Sequence, residues 1–84
     1  MNQTIEILTE KIKDDIIRQP KRQLGINEPL ISSGLIDSFS LVDLALMVEE
    51  IFGVHIEDYE LHADTFDTIE ELAMVILERQ QSRH

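Results

Sequence analysis

Ser38 follows Asp37 and stands at the head of an apolar-periodic run, so it opens a helix. A serine at a helix start usually serves as the cap, its oxygen accepting an N–H from the first turn. Asp37 already offers that cap, which places Ser38 at the first helical position with its hydroxyl free to point outward. A phosphorylated group attached there is favoured, because the unpaired N–H groups and dipole of a helix start stabilise negative charge. No partner of a catalytic machine accompanies this hydroxyl. The chain has no Ser-His-Asp arrangement and no Gly-rich phosphate loop, so no catalytic residue is assigned.

Other chemistry is sparse. There are no cysteines, which excludes disulfides, thiolate catalysis and Cys-based zinc sites. Any sulfur chemistry must come from an attached group. His55, His62 and His84 are too few and too scattered for a metal site. The acidic run from Asp58 to Asp67 lacks calcium-loop spacing and its central glycine. No metal is expected.

Three helices must position Ser38. The first is expected from about Ile5 to Gln19, where Ile5, Leu8, Ile12 and Ile16 form an apolar stripe. Thr4 is its expected N-cap, and Pro20 stops it by disfavouring helix at Gln19. Residues 20–37 read as a long loop punctuated by Pro20, Gly25, Pro29 and Gly34. Its apolar residues, among them Leu24, Leu30 and Ile36, should pack against the helices. So long a loop in a compact domain is uncommon and often functional. The second helix spans Ser38 to Phe52, with Asp37 as N-cap and Gly53 as terminator. A short turn is expected from Tyr59 to Ala63. The last helix runs from about Thr68 to Gln80, opened by a Thr68/Glu71 capping box. Arg79 and Arg83 suit the dipole at its end. The fold class is all-α, a small three-to-four-helix bundle with a long loop between helices one and two.

On a helical wheel the second helix has two faces. Leu41, Leu44, Ala45, Val48, Ile51 and Phe52 gather on one side and should form core. Val42, Asp43, Leu46, Glu49 and Glu50 gather on the other. That second face cannot be buried, because its carboxylates lack basic partners in this segment. Apolar residues ringed by acids suit a docking surface, and they also suit an ordinary solvated face.

The charge balance supports a protein partner. The net charge is −10, and residues 23–78 contain no Lys or Arg while carrying 13 of the 17 acids. Such a field repels nucleic acid and anionic membranes and attracts basic protein surfaces. Its 84 residues suit one small domain, residues 1–84. No apolar run is long enough for a membrane span, and MNQTIEILTE lacks the basic and apolar regions of a signal peptide. A cytoplasmic monomer is expected.

Gly34-Leu35-Ile36-Asp37-Ser38-Phe39 resembles the signature of the acyl carrier protein family, at the entrance to that family's second helix. Val42-Asp43-Leu44 and Glu49-Glu50-Ile51-Phe52 also look like that helix. Helix order, long first loop and acidic surface extend the resemblance over nearly the whole chain. The resemblance implies a stand-alone carrier with 4'-phosphopantetheine joined covalently to Ser38 beside Asp37, and with Val42, Asp43, Leu46, Glu49 and Glu50 as docking residues. It implies three kinds of partner: a phosphopantetheinyl transferase, an acyl- or aminoacyl-loading ligase, and downstream synthases with basic docking surfaces. The arm's thiol would hold acyl or aminoacyl groups as thioesters in fatty acid, polyketide, peptide or related biosynthesis. Two positions depart from the pattern. Phe39 stands where Leu or Ile is common, and Ser40 where fatty-acid carriers often have an acid. Both point toward specialised metabolism or a dedicated ligase. The competing reading is an acidic helical adaptor with no prosthetic group, which has no need of Asp37-Ser38 at a helix entrance.

Overall fold

The stripe at the N-terminus folds as α1 (Asn2–Lys11) and continues into a π-helical turn (Ile12–Ile16) in the computed structural model, which describes residues 2–82. Arg83 and His84 lie outside that range. Four-residue steps such as Leu8, Ile12 and Ile16 drift around an α-helix by about 40° each. The π turn takes up this drift with a wider ring, in which the Ile17 N–H donates to the Ile12 carbonyl at 2.9 Å. Leu8, Ile12 and Ile16 are consequently all buried.

Two expectations for this helix need correction. It begins at Asn2, so Thr4 lies inside it and is not its cap. No glycine or proline separates Asn2 from Ile5, and the hydrogen-bonded turns run upstream of the apolar stripe. The helix also ends before Gln19. Arg18 adopts a left-handed conformation (φ 56°), which turns the chain ahead of Pro20.

The long loop contains turns but no helix. Leu24, Leu30 and Ile36 are buried, so it packs into the core as the sequence suggests. Its path is fixed from the far end of the chain. The Leu30 N–H donates to the Asp67 carbonyl oxygen at 2.7 Å. The Asp67 carboxylate accepts from the Ile31 N–H at 2.7 Å and from the Ser32 N–H at 2.9 Å. It also accepts from the Ser32 hydroxyl at 2.5 Å.

Helix α2 spans Ser38–Phe52, the expected bounds, and Gly53 closes it in the left-handed region (φ 69°). The expected turn at Tyr59–Ala63 lies slightly earlier, as a 3-10 turn at Asp58–Glu60. The reason is local: the Glu60 carboxylate accepts from the Glu57 N–H at 2.9 Å, which fixes the start of the turn. Helix α3 spans Ile69–Gln81 with Thr68 as N-cap, its hydroxyl accepting from the Glu71 N–H at 3.1 Å. The other half of the expected capping box is displaced by one residue. The Glu71 carboxylate accepts from the Asp67 N–H, not from Thr68, because Asp67 is already held in place by the loop.

The described residues are thus all-α, with three α-helices, the π turn that extends the first and one 3-10 turn. Leu44 and Val48 of α2, Ile69, Leu72 and Ile76 of α3, and Phe66 between them are buried in one core. No buried side chain among the described residues is polar or charged. The radius of gyration, 11.7 Å, matches the roughly 12 Å of a compact chain this size.

Candidate functional site

Ser38 is the first residue of α2, exposed, and its hydroxyl has no hydrogen-bond partner among the described residues. This freedom has a cause. The cap position is taken by Asp37, whose Oδ1 accepts from the Ser40 N–H at 2.8 Å. That bond comes first among the interactions holding the Asp37 carboxyl below its ordinary value, followed by the Ser40 hydroxyl. The cap carboxylate is therefore directed toward the turn beyond Ser38 and away from the serine hydroxyl. The loop is anchored just upstream, where the Ile36 N–H donates to the Leu30 carbonyl at 2.9 Å. A hydroxyl with free access, held on a fixed helix start, suits covalent attachment of a phosphate-linked group.

Around it lies the mixed face. Val42 is 47% exposed, Leu46 58%, and Phe39, beside the serine, 86%. Asp43, Glu49 and Glu50 are exposed on the same helix. Leu46, Asp43 and Glu50 also line a surface groove of about 260 Å³, whose opposite wall includes Lys11, Asp15 and Ile16 of the first helical segment. The structure thus brings the five expected docking residues onto one open face with Ser38 at its head.

Two details of the face differ from expectation. Ile51, placed in the core by the wheel, is 40% exposed and lines the groove. It faces the first helical segment at an edge that this segment does not cover. Met47, which the wheel left out of the core, is 9% exposed and lines the same groove. The acids also have an imidazole neighbour beyond the end of their own helix. His55 Nδ1 lies 3.2 Å from Glu49 Oε1, and its Nε2 lies 3.0 Å from Glu57 Oε1. Sequence reasoning weighed His55 only as a metal ligand. Its position two residues after the helix-closing glycine was the available clue, because a chain reversing there passes back over the last turn of α2.

The family model for the phosphopantetheine attachment site matches residues 6–76, from within α1 to Ile76 of α3. The chain belongs to that family. This carrier therefore bears covalent 4'-phosphopantetheine, and it is a carrier rather than an enzyme. The adaptor reading without a prosthetic group is overturned. Carriers of this kind work with phosphopantetheinyl transferases and with ligases or synthases. A D-alanyl carrier protein from Bacillus pumilus (strain SAFR-032) is similar, with 29% identity over 77 residues, covering 92% of each chain. No solved structure gives a significant match. No helix among the described residues is long and apolar enough to cross a membrane.

Proposed function

We propose that Ser38 is the attachment point, and that residues 1–84 act as one carrier domain for acyl or aminoacyl groups in the cytoplasm. The observation that carries the assignment is the exposed Ser38 hydroxyl, left unpartnered because Asp37 caps the helix in its place. In this reading Ser38 supplies the oxygen of the phosphodiester, and the start of α2 stabilises its negative charge. The bound arm supplies a thiol that holds the cargo as a thioester. Asp37 keeps the helix start rigid. Val42 and Leu46 give apolar contact area to a partner, and Asp43, Glu49 and Glu50 steer its basic surface.

The D-alanyl carrier relative supports an aminoacyl cargo over a fatty acyl one. Phe39 and Ser40, which depart from the pattern of fatty-acid carriers, agree with that choice. The test is an intact mass after incubation with coenzyme A, Mg²⁺ and a broad-specificity phosphopantetheinyl transferase. The wild-type chain should gain one phosphopantetheine mass and Ser38→Ala none. Loading retained by a folded Ser38→Ala protein would move the site elsewhere. Glu49→Lys/Glu50→Lys should raise the transferase KM for the carrier, and the defect should shrink with added salt.

A further inference from the structure

The acids of the docking face are not equivalent. Asp43 and Glu50 have no hydrogen-bond or ion-pair partner among the described residues, whereas Glu49 is held by His55. The other ring nitrogen of His55 faces Glu57. Ionised carboxylates only accept hydrogen bonds, and a neutral imidazole has one N–H to give. Both contacts are therefore satisfied together only by an imidazolium. Among the described residues, Glu60 of the 3-10 turn and Arg79 of α3 are further charged groups close to His55. Arg79 donates to the His55 carbonyl oxygen at 3.2 Å and pairs with the Glu60 carboxylate. The backbone on which His55 sits is fixed by that anchor, while its ring stands in solvent beside Glu49.

We infer that His55 is a proton-controlled cover on one docking carboxylate: protonated, it occupies Glu49, and on losing its proton it can hold only one of Glu49 and Glu57. The inference rests on the reading of α2 as the surface that meets basic partners. Hydrogen bonds from the ring to Glu57 and then Glu49 are also the leading reasons that His55 titrates above the ordinary imidazole value. Docking of a basic surface should therefore strengthen as pH rises through the His55 midpoint. By linkage, a cation delivered to Glu49 by the partner should expel the His55 proton.

The ring is exposed, so the effect is graded. An exposed ion pair changes an equilibrium by roughly two- to fivefold. Two measurements test it. Nuclear magnetic resonance of the labelled imidazole should show the His55 midpoint moving down in Glu49→Gln; a midpoint that stays put would sever the link between the two residues. The transferase KM for the carrier, taken with coenzyme A and Mg²⁺, should then be compared between wild type and His55→Gln. The ratio of wild type to variant should be about two- to fivefold above one near pH 6 and approach one near pH 8. The ratio cancels the enzyme's own pH dependence, and a ratio indifferent to pH would overturn the inference. If wild type is never loaded at any pH, the carrier-site reading fails by itself, and the imidazole titration still decides whether His55 covers Glu49.

Discussion

At the start of α2 the Ser38 hydroxyl has no partner among the described residues, whereas in its last turn and beyond Glu49, His55, Glu57, Glu60 and Arg79 are tied into one network. The first arrangement needs neighbours that satisfy each other. Asp37 serves the Ser40 N–H, and Asp67 serves Ile31 and Ser32, so nothing nearby competes for the serine. The second region has no nucleophile to protect, and its groups pair with one another on the surface. Charge is the other contrast. The network includes Arg79, which otherwise stands alone between residue 23 and the end of the described chain, and it sits far in sequence from Ser38. Of the three acids on α2, Asp43 and Glu50 have no ion-pair partner among the described residues, whereas Glu49 has His55.

Both regions depend on the shared core, and removing part of it should disturb them equally. Phe66→Ala deletes a ring that is 1% exposed, and should cost about 3–5 kcal/mol by urea denaturation. A smaller loss would mean that the space beneath the loop collapses readily. Asp67→Ala separates the regions. It removes three hydrogen bonds to the loop and should cost about 1–3 kcal/mol, while leaving the network around Arg79 intact. The Asp67 carboxyl is held below its ordinary value by the Ser32 hydroxyl first and the Ser32 N–H next. Its stabilisation is therefore full above the unfolded value and fades as pH falls through the folded one. Hydrogen exchange at Ile31 and Ser32 should quicken in the variant. Unchanged protection there would show that the loop holds itself.

The region around Ser38 was legible in the sequence because its structure is local. Asp37 as cap, Ser38 as first helical residue and Gly53 as terminator all follow from residue types a few positions apart. The exposed face of α2 followed from the wheel, since acids cannot enter an aliphatic core. What escaped is non-local or geometric. The Asp67 clasp joins residues 35 and 36 apart, and no pattern in either segment announces it. The π turn keeps Ile12 and Ile16 buried by widening the helix, which a wheel of fixed pitch cannot represent. His55 reaches Glu49 only because Gly53 reverses the chain.

The network at the far end can be opened at Arg79. Its guanidinium pairs with Glu60 and also donates to the His55 carbonyl oxygen. Arg79→Ala should cost about 1–2 kcal/mol, less than the core change. A signature distinguishes this loss from a general weakening. Arg79 holds the Glu60 carboxyl down to about 2, from 4.5. A depressed carboxyl stabilises the fold above its unfolded value and loses that contribution as pH falls through the folded one. The wild-type chain should therefore lose stability between about pH 4.5 and 2 in part through Glu60, and Arg79→Ala should lose less over that window. Parallel acid-denaturation profiles for the two proteins would assign the Glu60 effect to some other group.

The gentlest perturbation is His55→Gln, and its sign is opposite. A histidine whose folded value is raised stabilises the protein fully below its unfolded value, and the contribution disappears as pH rises through the folded value. The wild type should thus melt above His55→Gln in mildly acidic solution, and the gap should close in mildly alkaline solution. Because the ring is exposed, added salt should shrink the gap as well. The same substitution leaves Asp37, Ser38 and the loop clasp untouched, so phosphopantetheine loading at saturating carrier should be unaffected. A gap that widened with pH would mean that neutral His55, not the imidazolium, makes the stabilising contacts, and the order in which Glu49 is covered and released would have to be reversed.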